Sequence, residues 1–408
     1  MHRGWSACGV ALALALGLSA CGGNHQRTNP APRTKHARLD VYASLPLDGP
    51  RAVQAAAILD GIRLAYTQAH ARAGHWHVRL IVRDDSSTSS GGWDAAKTAH
   101  NARAAASDSR AVYYIGELDS AASEISGPIL NVAGVPQVSP LSTYAGLTSS
   151  SGSLDPTGKP TFLRLAPSDS IQAGAQLEAA MLAGCTRVAV VHDDTLEGTG
   201  LALRLQARNT AFGIQIVSNE SLTTVARDVG GFVAAMKAHN DRCLIFAGTS
   251  SPTAAGLLSS VAAAYPRLQR TIGSAGVCTA PFTSPRAGGL TPRAKTEFRC
   301  TSPAGDLKSS DYGRAFLAAF AAAYHVTPDP VAVYGYEAMK LAIDTISDLG
   351  PRGDDKNAVR RALFALRDRH SAIGTYGFQG NGNSTAGSYG LYSVASDGAP
   401  AFLESLSP

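Results

Sequence analysis

The strongest constraint on this chain is a rhythm. Short apolar runs alternate with Ala-rich helical segments almost from end to end, and the series is written twice. Residues 39–44 precede a helical stretch over about 53–73, residues 78–82 precede another over about 93–107, and strand-like runs follow at 112–115 and 135–138. A loop rich in Ser, Gly and Pro, residues 149–160, closes this series. The second begins after 162–166 and takes the chain through helical segments at 169–183, 198–212, 229–239 and 253–265. Its strands are RVAVVHD, 214–217, CLIFAG and 271–273. Strand–helix alternation of this kind predicts parallel sheets covered by helices on both faces. Two series predict two such units, and 408 residues, 45% of them apolar, suffice for two cores.

After the second series the pattern changes. Residues 311–324, 330–349 and 354–368 read as three helices without strands of their own, and the stretch GTYGFQGNGNSTAGSYGLYSV reads as short strands with Gly and Asn at the turns. Helices without strands need a sheet to cover. They are expected to return to the first unit, while the terminal hairpin joins the second.

The candidate site lies at two strand ends of the first unit. The run 112–115 breaks at Gly116 into Glu117-Leu118-Asp119-Ser120, and the run 135–138 ends in Ser139-Pro140-Leu141-Ser142-Thr143. Ser120 and Thr143 then stand where new elements start, with backbone N–H groups that attract anions. In open parallel sheets ligands occupy the crevice beyond the carboxyl ends of the strands. Both residue types also favour helix caps, a role compatible with ligand binding.

The first residues set the compartment. Arg3 supplies a positive start, residues 10–18 form an apolar segment too short to span a bilayer, and Leu18-Ser19-Ala20-Cys21 resembles a bacterial lipobox. That resemblance implies a signal peptide over 1–21, acylation of Cys21 and a membrane anchor, followed by a flexible tether over 22–37. Six Cys less Cys8 and Cys21 leave four in a disulfide-permissive compartment. Cys185 and Cys243 each precede an apolar strand and so share one edge of a parallel sheet, and Cys278 and Cys300 flank a Pro/Gly/Thr-rich excursion. Those two pairs are the expected bridges, with buried thiols as the alternative; the spacing does not suit zinc.

The net charge of +5 is diffuse and offers no basic track for nucleic acid. No G-x-S-x-G or H-E-x-x-H is present, and residues 152–159 miss a phosphate loop because the spacing is wrong and Pro160 stands where a hydroxyl is required. His192-Asp193 has no serine on a strained turn to activate. No catalytic residue, metal or cofactor is therefore expected.

Six pieces, in order, resemble the type I periplasmic solute-binding proteins of the leucine/isoleucine/valine-binding class, over roughly residues 38–398. They are Leu45-Pro46-Leu47-Asp48-Gly49-Pro50; Ile81-Val82-Arg83-Asp84-Asp85; Tyr114-Ile115-Gly116 through Ser123 with Gly134-Val135-Pro136 and Ser139-Pro140; Val190-Val191-His192-Asp193 with Gly198 and Gly200; Tyr334-Gly335-Tyr336-Glu337-Ala338; and Gly374-Thr375-Tyr376-Gly377-Phe378. The resemblance implies an α/β fold of two doubly wound parallel-sheet lobes joined by three hinge crossings, near Leu165-Ala166-Pro167, Thr301-Ser302-Pro303 and Ala372-Ile373. Lobe 1 would comprise 38–166 and 303–372, and lobe 2 would comprise 167–302 and 373–408. In this family a Ser and a Thr of the first lobe hold the ligand's α-carboxylate; they align with Ser120 and Thr143, with Ser142 beside them, and the carbonyl that meets the α-ammonium aligns with Leu141.

Departures are equally informative. The acid that pairs with the ammonium falls at Ala275, one aromatic wall falls at Glu197, and the other falls near Thr249 or Ser250. Either Glu197 replaces the missing acid from a new direction, or the ligand is not a simple α-amino acid. Asp119, Asp193 and Asp194 at the same rim read as solvated carboxylates. The resemblance further implies a monomer that delivers a small polar or carboxylate-bearing solute to the permease of an ABC importer, with a signalling partner as the alternative.

Overall fold

The computed structural model describes residues 38–87, 92–149 and 154–408. Cys21, expected to be acylated, and the expected signal peptide and tether lie outside the described residues, as do the first residues of the 152–159 segment. Two sheets dominate. The first has the order Arg72–Ala73, Trp76–Asp84, Arg38–Leu45, Ala111–Ile115, Gln137–Ser139, Phe162–Arg164, and every pairing is parallel except that of the short Arg72–Ala73 edge. The second runs Gln215–Ser221, Arg187–His192, Cys243–Ala247, Arg270–Gly273, Phe298–Ser302, Tyr389–Val394, Pro400–Leu406. Its first five strands are parallel and its last two form the antiparallel terminal hairpin.

Chain order reverses at one place in each sheet. In the first it lies between Arg38–Leu45 and Ala111–Ile115; in the second it lies between Arg187–His192 and Cys243–Ala247. At such a point the loops leave the sheet to opposite sides and open a crevice beyond the strand ends. The two crevices belong to one cleft, because residues from both sheet edges line the same cavity.

The helices Asp311–Tyr324, Ala332–Asp348 and Lys356–Ala365 share an apolar core with the first sheet, through residues such as Phe316, Tyr334, Leu341 and Leu363. The tightest helix pair is Ala52–Gln68 against Ala332–Asp348. A Cβ on Gly61 would lie 2.0 Å from the Ala332 carbonyl oxygen, and one on Gly335 would lie 1.9 Å from that of Ile58. Two glycines facing one another thus let the backbones touch, which is the physical content of the Tyr334-Gly335-Tyr336 motif.

Cys185 is bonded to Cys243, with Cα atoms 6.1 Å apart, and Cys278 to Cys300, with Cα atoms 5.4 Å apart. The first bridge ties neighbouring parallel strands at the edge opposite the cleft.

The third crossing differs from expectation. Ala372, Tyr376 and Phe378 are buried in the core of the first sheet. Arg369 Nε donates to Glu337 Oε1 at 2.6 Å, and the Tyr376 hydroxyl donates to the same oxygen at 2.7 Å. Asn383 still bridges Arg164 at the edge of that sheet, whereas Tyr389 opens a strand of the second. The chain therefore leaves the first sheet between 384 and 389, not at Ala372-Ile373. Buried ion pairing and ring packing hold the Arg369–Ser371 and Gly374–Tyr376 hairpin on the first body.

Candidate functional site

A frame of buried hydroxyl and amide groups fixes the loop after Ala111–Ile115. Gln137 Nε2 donates to the Gly116 carbonyl at 2.9 Å and to Ser126 Oγ at 2.8 Å; Ser139 Oγ donates to the Glu117 carbonyl at 2.7 Å. Ser142 belongs to this frame. It is fully buried, its hydroxyl contacts Ser123 Oγ at 2.8 Å and donates to the Glu117 carbonyl at 3.1 Å, so it supports the site from behind.

Ser120 begins the helix Ser120–Val132, and Asp119 occupies the cap position without capping it. The Asp119 carboxylate turns instead to Arg51, whose Nη1 donates to it at 2.7 Å while Nη2 donates to Gln54 at 2.9 Å. The Ser120 N–H is thereby left for another acceptor. Glu197, from the second body, fills that place with Oε1. Ser120 Oγ accepts the Tyr144 N–H at 3.2 Å. The Ser120 N–H, expected to receive a ligand anion, is bonded to the protein's own carboxylate.

The cavity behind this contact measures about 40 Å³, roughly one water's share of liquid volume, and is lined by Leu141, Thr143, Asp169, Gln172, Glu197, Thr249 and Ala275 among others. The jaws are closed on each other. Gln54 Nε2 donates to the Ala275 carbonyl at 3.3 Å across the cleft. Gly200 permits close approach on the same side, since a Cβ there would lie 2.6 Å from the Tyr144 ring.

Of the expected site residues, Leu141, Thr143, Glu197, Thr249 and Ala275 line one cavity, with Ser120 directly behind Glu197. Ser250 does not. It faces a separate groove with Pro50 and Phe282, and its N–H donates to the Gly276 carbonyl at 3.0 Å. Two rim carboxylates expected to be solvated are buried: Asp119 through Arg51, and Asp193 through the Thr195 and Thr249 hydroxyls at 2.5 and 2.8 Å. Asp194 is exposed and accepts from Thr223 at 2.7 Å.

Sequence reasoning missed Asp169. It opens the helix Asp169–Leu182 just after the first crossing, where an acid complements a helix dipole and attracts no notice. Folding leaves it 1% exposed against the cavity, and neither carboxylate oxygen accepts a hydrogen bond among the described residues. Burial pushes it up to about 7, and Glu197 adds to the rise; the nearby Thr143 hydroxyl, Arg164 and Arg204 pull it down. Burial also raises Glu197, with Asp119 adding, against Arg51 and the Ser120 N–H. Below the loop lies a second acid pair. Asp85 and Glu117 are both fully buried neighbours: burial, with Glu117 adding, pushes Asp85 up to about 9, and burial pushes Glu117 up to about 7 against the pull of Asp85 and Tyr114.

A closed interlobe cleft with acidic and hydroxyl walls thus lies between the facing sheet edges. A family profile described as periplasmic binding protein matches residues 43–399. The chain belongs to the periplasmic binding protein family. Solved structures agree at the level of fold. A solute-binding protein of an ABC transporter from R. palustris, in complex with benzoate, superposes with a TM-score of 0.75 at 18% identity, over 91% of this chain and 97% of that one. A leucine-binding protein from Thermotoga maritima gives 0.76 at 20% identity over 91% and 99%, and an ABC transporter substrate-binding protein from Sphaerobacter thermophilus gives 0.76 at 18% over 91% and 98%. No curated protein matches the sequence. Among the described residues no helix of this periplasmic binding protein is long and apolar enough to cross a membrane.

Proposed function

We propose that this periplasmic binding protein is the lipid-anchored receptor of an ABC importer, related to the Leu/Ile/Val-binding class. It acts outside the cell membrane as a monomer and catalyses no reaction. One observation carries the reading: the chain-reversal points of two separate sheets face each other across a single cavity lined from both sides. A solute there contacts both bodies only when they are closed, so its differential affinity stabilises the closed form, the surface on which a permease would act. The moving bodies are taken as 38–166 with 303–384, and 167–302 with 385–408. The structurally similar proteins include a benzoate complex and a leucine-binding protein, so the same jaws serve more than one ligand chemistry.

Deletion of the gene tests the importer role. Mass spectrometry of spent medium should find a small solute that persists with the deletion strain and disappears again on complementation. Identical depletion profiles in parent and deletion strains would refute it, and would favour a sensor that feeds a signalling partner.

A further inference from the structure

The following inference rests on the solute-binding reading and names the class of solute. Three observations bear on it. First, the backbone N–H that would receive a ligand carboxylate is already bonded to Glu197, so the helix start at Ser120 faces a negative charge supplied by the protein. Second, the cations of this region are committed. Arg51 is bonded to Asp119 and Gln54, and Arg164 to Asn383, Thr148 and the carbonyls of Ser142 and Tyr144. Arg204 is exposed and forms no ion pair with Asp169 among the described residues. An anionic ligand would thus meet two carboxylates, with only the exposed Arg204 uncommitted nearby.

Third, Asp169 is almost wholly buried, borders the cavity and receives no hydrogen bond from the described residues. A buried carboxylate without donors is disfavoured by lost solvation unless a donor or cation arrives. The Thr143 hydroxyl, Arg164 and Arg204 lie near enough to favour its charge, but none forms a hydrogen bond or ion pair with it among the described residues. Glu197 borders the same cavity, so two carboxylates converge on one small space while Ala275 leaves the remaining wall uncharged.

We propose that the cleft takes a cationic solute lacking an α-carboxylate, an organic amine or guanidine whose charged N–H groups are held between Asp169 and Glu197. Binding supplies the donors that Asp169 lacks and offsets both carboxylates at once. The Thr143 hydroxyl and the Gln172 amide, on the same cavity wall, complete a polar lining for the N–H groups. Because the closed cavity is small, the jaws open to admit the solute and Glu197 leaves Ser120 or turns toward the guest. Glu197 is then both the acid that the family places at position 275 and the latch that keeps an empty cleft shut.

The test uses the full-length protein purified in detergent. It is equilibrated with a bacterial metabolite extract, separated from unbound material and denatured, and the released solute is identified by mass spectrometry. In parallel, calorimetry compares matched pairs that differ by one carboxylate, agmatine against arginine and 3-methylbutylamine against leucine. The proposal expects a released amine or guanidine without an α-carboxylate, and binding of at least one decarboxylated partner ten times tighter than its parent. Asp169→Asn should weaken that binding at least tenfold with the thermal midpoint of the empty protein not lowered, and Glu197→Gln serves if the first variant does not fold. Release of an α-amino acid or a carboxylic acid, or tighter binding of the parent compounds, would overturn the cationic class and leave solute binding intact. Release of nothing, with no compound bound, would remove both.

Discussion

Asp85→Asn should flatten the pH dependence of stability. Asp85 and Glu117 form a buried acid pair, with burial and mutual repulsion pushing Asp85 from 3.8 up to about 9. A folded-state value above the unfolded one means that the native protein holds a proton which the unfolded chain releases. The contribution is then complete below about pH 4 and is lost as pH rises toward 9. Between those limits one retained proton gives a slope of about 1.4 kcal/mol per pH unit. From pH 5 to pH 8 the Asp85 proton should therefore take away about 4 kcal/mol. An asparagine is neutral throughout that range, still fits the space, and can donate to Glu117. Urea unfolding of both proteins at pH 5, 6, 7 and 8 reads the difference directly. Asp169 and Asp329, each pushed up to about 7 mainly by burial, titrate with the same sign in both proteins and cancel in the comparison. A difference that stays constant within about 0.5 kcal/mol would refute the retained-proton assignment.

Other perturbations probe the frame and the cleft. Thr143→Val should cost about 1–3 kcal/mol of solute affinity, read by calorimetry, because it removes the hydroxyl on the cavity wall but keeps the shape. Gly335→Ala places a methyl group against the Ile58 carbonyl and should lower stability by about 1–3 kcal/mol in urea unfolding. Arg369→Ala leaves Glu337 buried without its partner and should cost about 3–5 kcal/mol. In hydrogen exchange the loss should appear first in the 369–376 hairpin.

Much of this architecture is legible in the sequence because it is local. The strand–helix alternation sets two parallel sheets, and Cys185 and Cys243 stand before neighbouring strands, so their pairing follows from sheet order. The positions of Ser120 and Thr143 follow from where apolar runs stop. What escaped detection depends on distances between segments remote in the chain. Asp169 and Asp119 resemble ordinary acids at helix starts until the first body covers one and Arg51 reaches the other. Glu197 meets Ser120 across 77 residues of chain, and no periodicity encodes that contact. The third crossing was misplaced for a related reason: the 369–376 hairpin reads as part of the terminal strands, while its anchor, Glu337, lies in a helix 32 residues earlier. Of the alternatives Thr249 and Ser250, Thr249 lines the cavity and Ser250 faces a separate groove, because neighbouring residues past a strand end point to different sides.

The central claim is that two bodies close on one solute, and an interlobe distance tests it most directly. Val132 and Leu203 are exposed, one on each body, and accept labelled cysteines while the four native ones of the described body stay paired. Double electron–electron resonance should show an open population without solute that collapses to a single shorter distance when the solute identified by mass spectrometry is added. One distance, unchanged by a solute that calorimetry shows to be bound, would contradict the account.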